Sequence, residues 1–287
     1  MPTPDGMSTL LAAEPLPPEF DASRPNIARI YDYYLGGKNS FEADRAEAER
    51  LLAIYPLLQD RVRENRMFLA RAVAWLAREQ GIRQFLDVGA GLPTAQNTHQ
   101  VAQGQDPDCR VAYVDYDPVV AAHAAALLCE RNAVAIQGDM RAPASILAHP
   151  DVLGLIRLDE PVGLIMAMTL HFVDATTAAA ITAGFTSALA PGSYVVISVG
   201  SGDEETGGHL AREYRAGTLY NHSPAEVTGF FAGLELAGPG LTDARSWDPG
   251  LATAPPAHEG GRILAAVARK PMAGPGQDAA TVPGSAG

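Results

Sequence analysis

Residues 84–94, QFLDVGAGLPT, decide the fold, because a short apolar run here ends in an aspartate and a glycine-rich turn. Glycines are needed in such a turn where a ligand must approach the backbone with no Cβ in the way. In a dinucleotide-binding turn a third glycine would replace Thr94, and Pro93 changes the turn further. The stretch therefore favours a ligand without a pyrophosphate.

Short apolar runs alternate with helix-like segments on the C-terminal side of residue 81. The runs cover residues 83–88, 110–114, 133–137, 162–168, 194–199 and 262–268. This alternation is typical of a mainly parallel sheet with helices on both faces. It predicts an α/β fold with a Rossmann-like sheet.

Helical spacing dominates the region before the sheet. We predict a helical cap over residues 21–82, the Rossmann-like domain over 83–270, and flexible tails over 1–20 and 271–287, where Pro and small residues accumulate. The cap contains three predicted helices. The first starts at Asn26 and stops at Gly36-Gly37, the second starts at a capping box of Asn39 and Glu42, and the third runs from Pro56 to Gly81.

Composition excludes several classes of function. The net charge of −12 repels phosphate backbones, so nucleic acid is not an expected partner. Cys109 and Cys129 show no disulfide or zinc spacing, which predicts no metal and fits a reducing cytoplasm. The apolar run 162–170 is about half the roughly 20 residues that a membrane span requires, so we expect no membrane anchor.

Acidic residues follow three successive predicted strands. Asp87 precedes the glycine turn, Asp115 ends the next strand, and Asp139 follows the third. A carboxylate in the position of Asp115 can accept both hydroxyls of a ribose, and Asp139 is placed to accept an exocyclic amine such as that of adenine. Each acid alone is equally consistent with capping a following helix.

Residues 24–270 resemble the S-adenosyl methyltransferase family that was first catalogued as a domain of unknown function. The resemblance rests on YDYYLGGKN at 31–39, NRMFL at 65–69, QFLDVGAGLPT at 84–94, YVDYDP at 113–118 and LHF at 170–172. It implies the methyltransferase sheet and S-adenosylmethionine as the cofactor. It implies no particular methyl acceptor.

The resemblance also implies positions for the parts of the cofactor. Asp87 would fix the turn or meet the ligand ammonium through water. The other implied contacts are Gly89, Ala90 and Gly91 for the methionine end, Asp115 for the ribose, and Tyr116, Asp139 and Met140 for the adenine.

The glycine turn of the cap has two interpretations. A helix stop explains it on composition alone, whereas the resemblance favours a lid that contacts the cofactor. The lid residues would be Tyr33, Gly37, Lys38 and Asn39. For Asn65 and Arg66 on the third helix, a solvent-facing or capping role is as consistent with the sequence as a ligand contact.

His171 follows the fourth strand, at the sheet edge where ligands bind in open α/β folds. It is the candidate base on the acceptor side, although a lone histidine beside an apolar run is commonly structural, and Thr169 shares the ambiguity. The candidates for the border of the acceptor site, which a surface helix explains equally well, are Tyr214, Tyr220, Asn221 and His222.

These observations favour a cytoplasmic enzyme that transfers the sulfonium methyl group to a small or medium-sized acceptor, chiefly by aligning the two reactants. The alternative is a regulatory module that binds S-adenosylmethionine with little or no transferase activity. A third interpretation, a nicotinamide oxidoreductase, is opposed by Pro93 and Thr94. The oligomeric state stays open.

Overall fold

All six predicted apolar runs form strands in the structure, a computed structural model, and each strand ends within two residues of its predicted limits. Most residues of these runs are buried beneath helices on both faces of the sheet, which explains their apolar character; the run at 133–137, at the sheet edge, is only partly buried. The structure describes residues 21–93, 96–127, 132–253 and 261–272. The predicted flexible tails, 1–20 and 271–287, lie outside the described residues except for residues 271 and 272.

The sheet is mostly parallel, as predicted. Its strands are β1 Gln84–Val88, β2 Arg110–Asp115, β3 Ala133–Gln137, β4 Gly163–Ala167, β5 Tyr194–Ser201, β6 Glu235–Leu236, β7 Thr242–Asp243 and β8 Arg262–Arg269. The order is β3-β2-β1-β4-β5-β8-β6, with β7 also beside β8. Strands β1 to β5 pair in parallel and β8 is antiparallel to β5. This topology confirms the Rossmann-like prediction.

Ten α-helices accompany the strands within the described residues. They are α1 Ile27–Tyr34, α2 Glu42–Ile54, α3 Leu58–Arg78, α4 Thr98–Gln103, α5 Pro118–Leu127, α6 Pro143–Leu147, α7 Pro150–Leu155, α8 Ala175–Ala188, α9 His209–Glu213 and α10 Pro224–Gly229. A π-helical turn, Glu204–Gly208, leads into α9. None of the helices in the part of the chain that the structure describes is long and apolar enough to cross a membrane.

The start of α2 differs from the predicted capping box of Asn39 and Glu42. The N-cap residue is Phe41, whose N–H donates to the Asp44 carboxylate at 2.8 Å. Asp44 is buried and also pairs with Arg29 Nε at 2.7 Å. This ion pair with α1 fixes Asp44 at the helix start, a contact that spacing along the chain does not contain.

Two apolar layers cover the sheet, and α3 belongs to one of them. Phe68, Ala72 and Leu76 of α3 pack in one cluster with Phe85 of β1 and with other strand residues. A separate small cluster joins α1 and α2 to the first turns of α3 through Ile30, Tyr34, Ala48 and Val62. By packing, most of α3 is therefore part of the sheet layer, although the sequence places it in the cap.

Candidate active site

A cavity of about 690 Å³ lies between the carboxyl ends of the central strands and the cap. Strand order reverses between β1 and β4, which is the crevice where open α/β sheets bind ligands. The loops after β1 to β5 supply one wall, and α1, α2 and the first turns of α3 supply the other. The cavity therefore brings the predicted glycine turn and the cap together.

The glycine turn after β1 requires glycine at Gly89. Its φ is +73° and a Cβ there would lie 2.1 Å from Thr169 Cγ2. Its N–H donates to Val114 O of β2 at 2.7 Å, so the turn is held by the neighbouring strand. Gly91 also has a positive φ, +68°, but a Cβ there would meet nothing within 4 Å. The backbone at Gly91 therefore borders open cavity.

Asp115 joins the end of β2 to the glycine turn. Its carboxylate accepts the N–H groups of Gly91 at 2.8 Å and Asp117 at 2.9 Å. Burial raises the pKa of Asp115, and these two hydrogen bonds oppose the rise. The first turn of α5 donates to a different residue, since Val119 N–H bonds Asp117 at 2.8 Å. Asp117 therefore caps α5. Asp115 keeps further lone pairs on its carboxylate, which lines the cavity.

Asp87 is a buried carboxylate on the cavity wall. Burial raises its pKa to about 6, against the opposing effect of the Thr98 hydroxyl, which donates to Asp87 Oδ2 at 2.6 Å. Arg66 of α3 lines the same part of the cavity, and its positive charge also opposes the rise. A carboxylate and a guanidinium whose charges interact thus line the cavity beside the glycine turn.

The residues expected around the adenine lie at the mouth of the cavity. Tyr116 is exposed, and the Arg141 guanidinium lies 5.9 Å from the centre of its ring. Arg141 also pairs with Asp139 at 2.6 Å, which lowers the pKa of that carboxyl. Three N–H groups of Arg141 thereby occupy most of the roughly four lone-pair sites of Asp139. Met140 lines the cavity beside them.

The glycine turn of the cap does not reach the cavity. Asp32 holds this turn through Asn39 N–H at 3.0 Å, and a Cβ on Gly37 would lie 2.1 Å from the Asp32 carboxylate. Tyr33 bonds Glu49 at 2.5 Å and Lys38 is exposed. None of the four predicted lid residues, Tyr33, Gly37, Lys38 and Asn39, is among the described residues that line the cavity. The cap lines it instead through α1, the end of α2 and the first turns of α3.

The backbone after β4 is strained where it enters the cavity. Met168 has φ +57°, and its N–H donates to Ser198 O of β5 at 2.8 Å. This turn directs Thr169 against Gly89 and carries His171 to β5. The Thr169 hydroxyl is buried without a hydrogen-bond partner in the described residues. Strained residues that the surrounding structure fixes in this way cluster at functional sites.

His171 is neutral. Burial lowers its pKa to about 3, and His222 adds to the effect. Gly200 N–H donates to His171 Nδ1 at 3.3 Å, so the ring hydrogen lies on Nε2. With Nδ1 already occupied and Nε2 carrying a hydrogen, the side chain offers the cavity a donor. This geometry does not support the general base that the sequence suggested.

Similarity to known proteins agrees with this geometry. Residues 13–271 match the model of the S-adenosyl methyltransferase family. The chain belongs to this family. A putative methyltransferase from Thermobifida fusca is 38% identical with a TM-score of 0.81, and the match covers 90% of this chain and 99% of that one. A DUF574 family protein from Streptomyces avermitilis is also 38% identical, with a TM-score of 0.80 and coverage of 88% and 99%. No curated protein matches the chain significantly.

Membership in the S-adenosyl methyltransferase family confirms the cofactor that the motifs predicted. The predicted contacts that line the cavity are Asp87, Gly89, Ala90, Gly91, Asp115, Tyr116, Asp139 and Met140, together with His171 on the acceptor side. Among the described residues, no group of His, Cys, Asp and Glu side chains could hold a metal ion.

The remaining candidates divide between the cavity and the interior. Tyr214, Tyr220 and Asn221 line the cavity, whereas His222 is buried and its Nε2 bonds Leu170 O at 3.2 Å. Asn65 connects two layers: Ser198 Oγ donates to its Oδ1 at 2.6 Å, and its Nδ2 donates to Tyr31 Oη at 2.8 Å. Sequence reasoning missed Tyr31 because the residue reads only as the apolar face of α1.

The contact between Gly89 and Thr169 gives a test of the turn. We expect Gly89→Ala to lower the free energy of unfolding by about 2 to 5 kcal/mol, since it adds a clash to an unfavourable φ. Gly91→Ala is the control, because it adds the strain of a positive φ without a clash; it should lower the free energy of unfolding by about 1 to 2 kcal/mol. Adding Thr169→Ser to Gly89→Ala removes Cγ2 and should recover the difference in urea titrations. No recovery would contradict the contact.

The neutral state of His171 is also testable. We expect nitrogen-detected NMR to show a neutral ring with hydrogen on Nε2 from pH 8 down to pH 5, because burial holds its pKa near 3. The unfolded chain, with a histidine pKa of about 6.5, binds a proton that the folded chain does not, so acidification below this pH should favour unfolding. A ring that titrates near pH 6.5 in the folded protein would contradict the assignment.

Proposed function

We propose that the protein transfers the methyl group of S-adenosylmethionine to a small or medium-sized acceptor bound in the same cavity. One observation carries the proposal: a single cavity joins the glycine turn and the carboxylates of β1 and β2 to an apolar region beneath the cap. Its volume of about 690 Å³ falls within the range of about 300 to 1,000 Å³ that is usual for ligand sites.

The charges beside the glycine turn suit the methionine end of the cofactor, which carries an ammonium and a carboxylate. Asp87 is a buried acceptor for the ammonium, and Arg66 is a donor for the carboxylate. The lone pairs of Asp115 suit the ribose hydroxyls. Tyr116, Asp139 and Met140 remain the proposed adenine contacts, with Arg141 sharing Asp139.

When bound, S-adenosylmethionine supplies a methyl carbon activated by a positively charged sulfur. The residues of this chain contribute alignment and exclusion of water, since the cap covers the cavity from the side opposite the strands. His171 contributes a neutral Nε2–H donor that can orient an acceptor oxygen or nitrogen. This role requires the neutral imidazole and not a charged imidazolium.

The partner proposed is a small molecule, and a cytoplasmic location stays a prediction from composition. No observation favours the regulatory alternative. The nicotinamide interpretation is opposed by the buried carboxylates beside the glycine turn, because a pyrophosphate there would face Asp87 and Asp115 with like charge.

Binding of S-adenosylhomocysteine tests the proposed cofactor site. At a hundredfold excess over its dissociation constant it should stabilise the fold by about 2.7 kcal/mol, and NAD should not. Asp115→Ala should weaken binding by about 1.5 to 3 kcal/mol in calorimetry, because two charge-assisted hydrogen bonds to the ribose are lost.

Asp115→Asn keeps one acceptor oxygen for Gly91 N–H and separates binding from loop stability. Its affinity should fall while its thermal unfolding stays closer to wild type than that of Asp115→Ala. Asp151→Asn, at an exposed carboxylate on α7, is the matched control and should bind normally. Stabilisation by NAD with none by S-adenosylhomocysteine would refute the proposed function.

Because the Asp87 carboxylate is buried, we expect its removal to stabilise the free protein and to weaken cofactor binding. Its folded pKa of about 6 exceeds the unfolded value, so its contribution to stability is lost as pH rises from about 4 to 6. At pH 8, Asp87→Asn should therefore raise the free energy of unfolding of the free protein by about 1 to 3 kcal/mol. Near pH 4 the substitution should have little effect on stability.

The same substitution should weaken binding of S-adenosylhomocysteine at least tenfold at pH 8, because the partner of the ligand ammonium is lost. Wild-type affinity should fall about tenfold per pH unit below pH 6, where binding must displace the Asp87 proton, and Asp87→Asn should not show this fall. If wild type and Asp87→Asn bind S-adenosylhomocysteine with equal affinity across this pH range, Asp87 does not contact the ligand.

A further inference from the structure

Carboxylates line only one part of the cavity. They belong to β1, to β2, to the loops after β2 and β3, or to the start of the cap; they are Asp21, Asp87, Asp115, Asp117 and Asp139. Four arginines, Arg24, Arg29, Arg66 and Arg141, line the same part. Beside β5 and β8, the charged residues in the described lining are Arg61 and Arg262.

The two arginines differ in their partners. Arg61 pairs with Glu64 at 2.6 Å and donates to the Tyr55 hydroxyl at 3.2 Å, so its charge is already neutralised. Arg262 begins β8 opposite Ser201 of β5, and its side chain makes no hydrogen bond or ion pair with any described residue. It is half-buried on the cavity wall. Its five N–H donors are therefore available to a ligand.

The wall between the cofactor turn and Arg262 is apolar and partly aromatic. The rings of Phe172 and Tyr214 lie 6.2 Å apart at an interplanar angle of 35°. Polar groups here are already engaged, since Tyr34 Oη bonds Ala48 O at 3.0 Å and Asn221 bonds Gly202 at 2.9 and 3.0 Å. Apolar residues of the cavity lining include Ile27, Ile30, Leu58, Val62, Leu210 and Leu219. Such a wall accommodates a flat apolar body.

Strand spacing sets the reach of a molecule that fills this region. Neighbouring strands lie about 4.8 Å apart, and β5 is the only strand between β4 and β8. His171 follows β4, and Arg262 begins β8. His171 Nδ1 accepts from Gly200 of β5, and Gly200 pairs with Ile263 beside Arg262, so the His171 ring lies about one strand spacing from the start of β8.

We propose that the methyl acceptor is a flat apolar molecule with an anionic group, and that Arg262 binds this group. The inference rests on the proposed function and names its substrate class. A chain with net charge −12 repels anions, so an arginine in the cavity lining without a side-chain partner among the described residues is the feature that would hold one. A planar guanidinium pairs with a carboxylate through two parallel hydrogen bonds.

The test uses two matched probes, 6-hydroxy-2-naphthoate and 6-hydroxy-2-naphthamide, and the full chain saturated with S-adenosylhomocysteine. Fluorescence titration should show that the carboxylate binds at least tenfold more tightly than the amide. Arg262→Gln should reduce the affinity for the carboxylate to that for the amide and leave the amide unaffected. Arg262→Lys should keep part of the preference, because it retains the charge without the planar pair of donors.

Two further variants complete the design. Arg63→Gln, on the exposed side of α3, is the matched control and should bind both probes as wild type does. Leu210→Trp fills the apolar wall and should abolish binding of both probes without changing affinity for S-adenosylhomocysteine. Equal binding of the two probes to wild type, no binding of either, or a preference that survives Arg262→Gln would overturn the inference. If S-adenosylhomocysteine itself fails to bind, the proposed function fails instead.

Discussion

The hydrogen bond between Gly91 N–H and the Asp115 carboxylate connects the two strand ends on which the candidate site depends. Parallel pairing of β1 with β2 places Val88 opposite Val114, so the turn after β1 lies directly beside the end of β2. Gly89 N–H bonds Val114 O at the same point. The glycine turn and the proposed ribose acceptor therefore form one rigid unit, and a shift in register would displace both.

This unit contains two carboxylates, Asp87 and Asp115, that the fold largely removes from water. Burial raises the pKa of both Asp87 and Asp115, which means that their ionised forms are less favourable in the free protein than in water. A structural role alone would be served as well by neutral hydrogen-bonding side chains. A bound cation would offset the energetic cost of burying these two carboxylates. A ligand with an ammonium and a sulfonium provides two positive charges.

Patterns along the chain predict those parts of the structure that local burial determines. The central strands are recognisable because helices cover both faces, which makes their residues apolar throughout. Strands β6 and β7 were missed because each has two residues and is defined only by pairing with β8. The start of α2 was misplaced because the ion pair of Asp44 with Arg29 decides it.

The site shows the same division. Glycines and acids at strand ends are recognisable from their order, since they must converge at one sheet edge. Arg66 and Arg262 are not, because a charged residue on a helix or at a strand start normally faces solvent. The turn at residues 36–39 was interpreted as a ligand contact because glycine lets a ligand approach the backbone closely. In the structure the group that approaches this turn closely is the Asp32 carboxylate.

Contacts from the cap reach both sides of the cavity. Asn26 Nδ2, at the start of α1, donates to Asp117 at 2.5 Å, and Tyr31 of the same helix accepts from Asn65, which in turn bonds Ser198 of β5. α3 packs in the sheet core along most of its length. Because Asp117 neighbours Asp115 and Ser198 lies on β5, the two contacts lie on the proposed cofactor side and acceptor side of the cavity. The position of α1 therefore depends on the geometry of both sides.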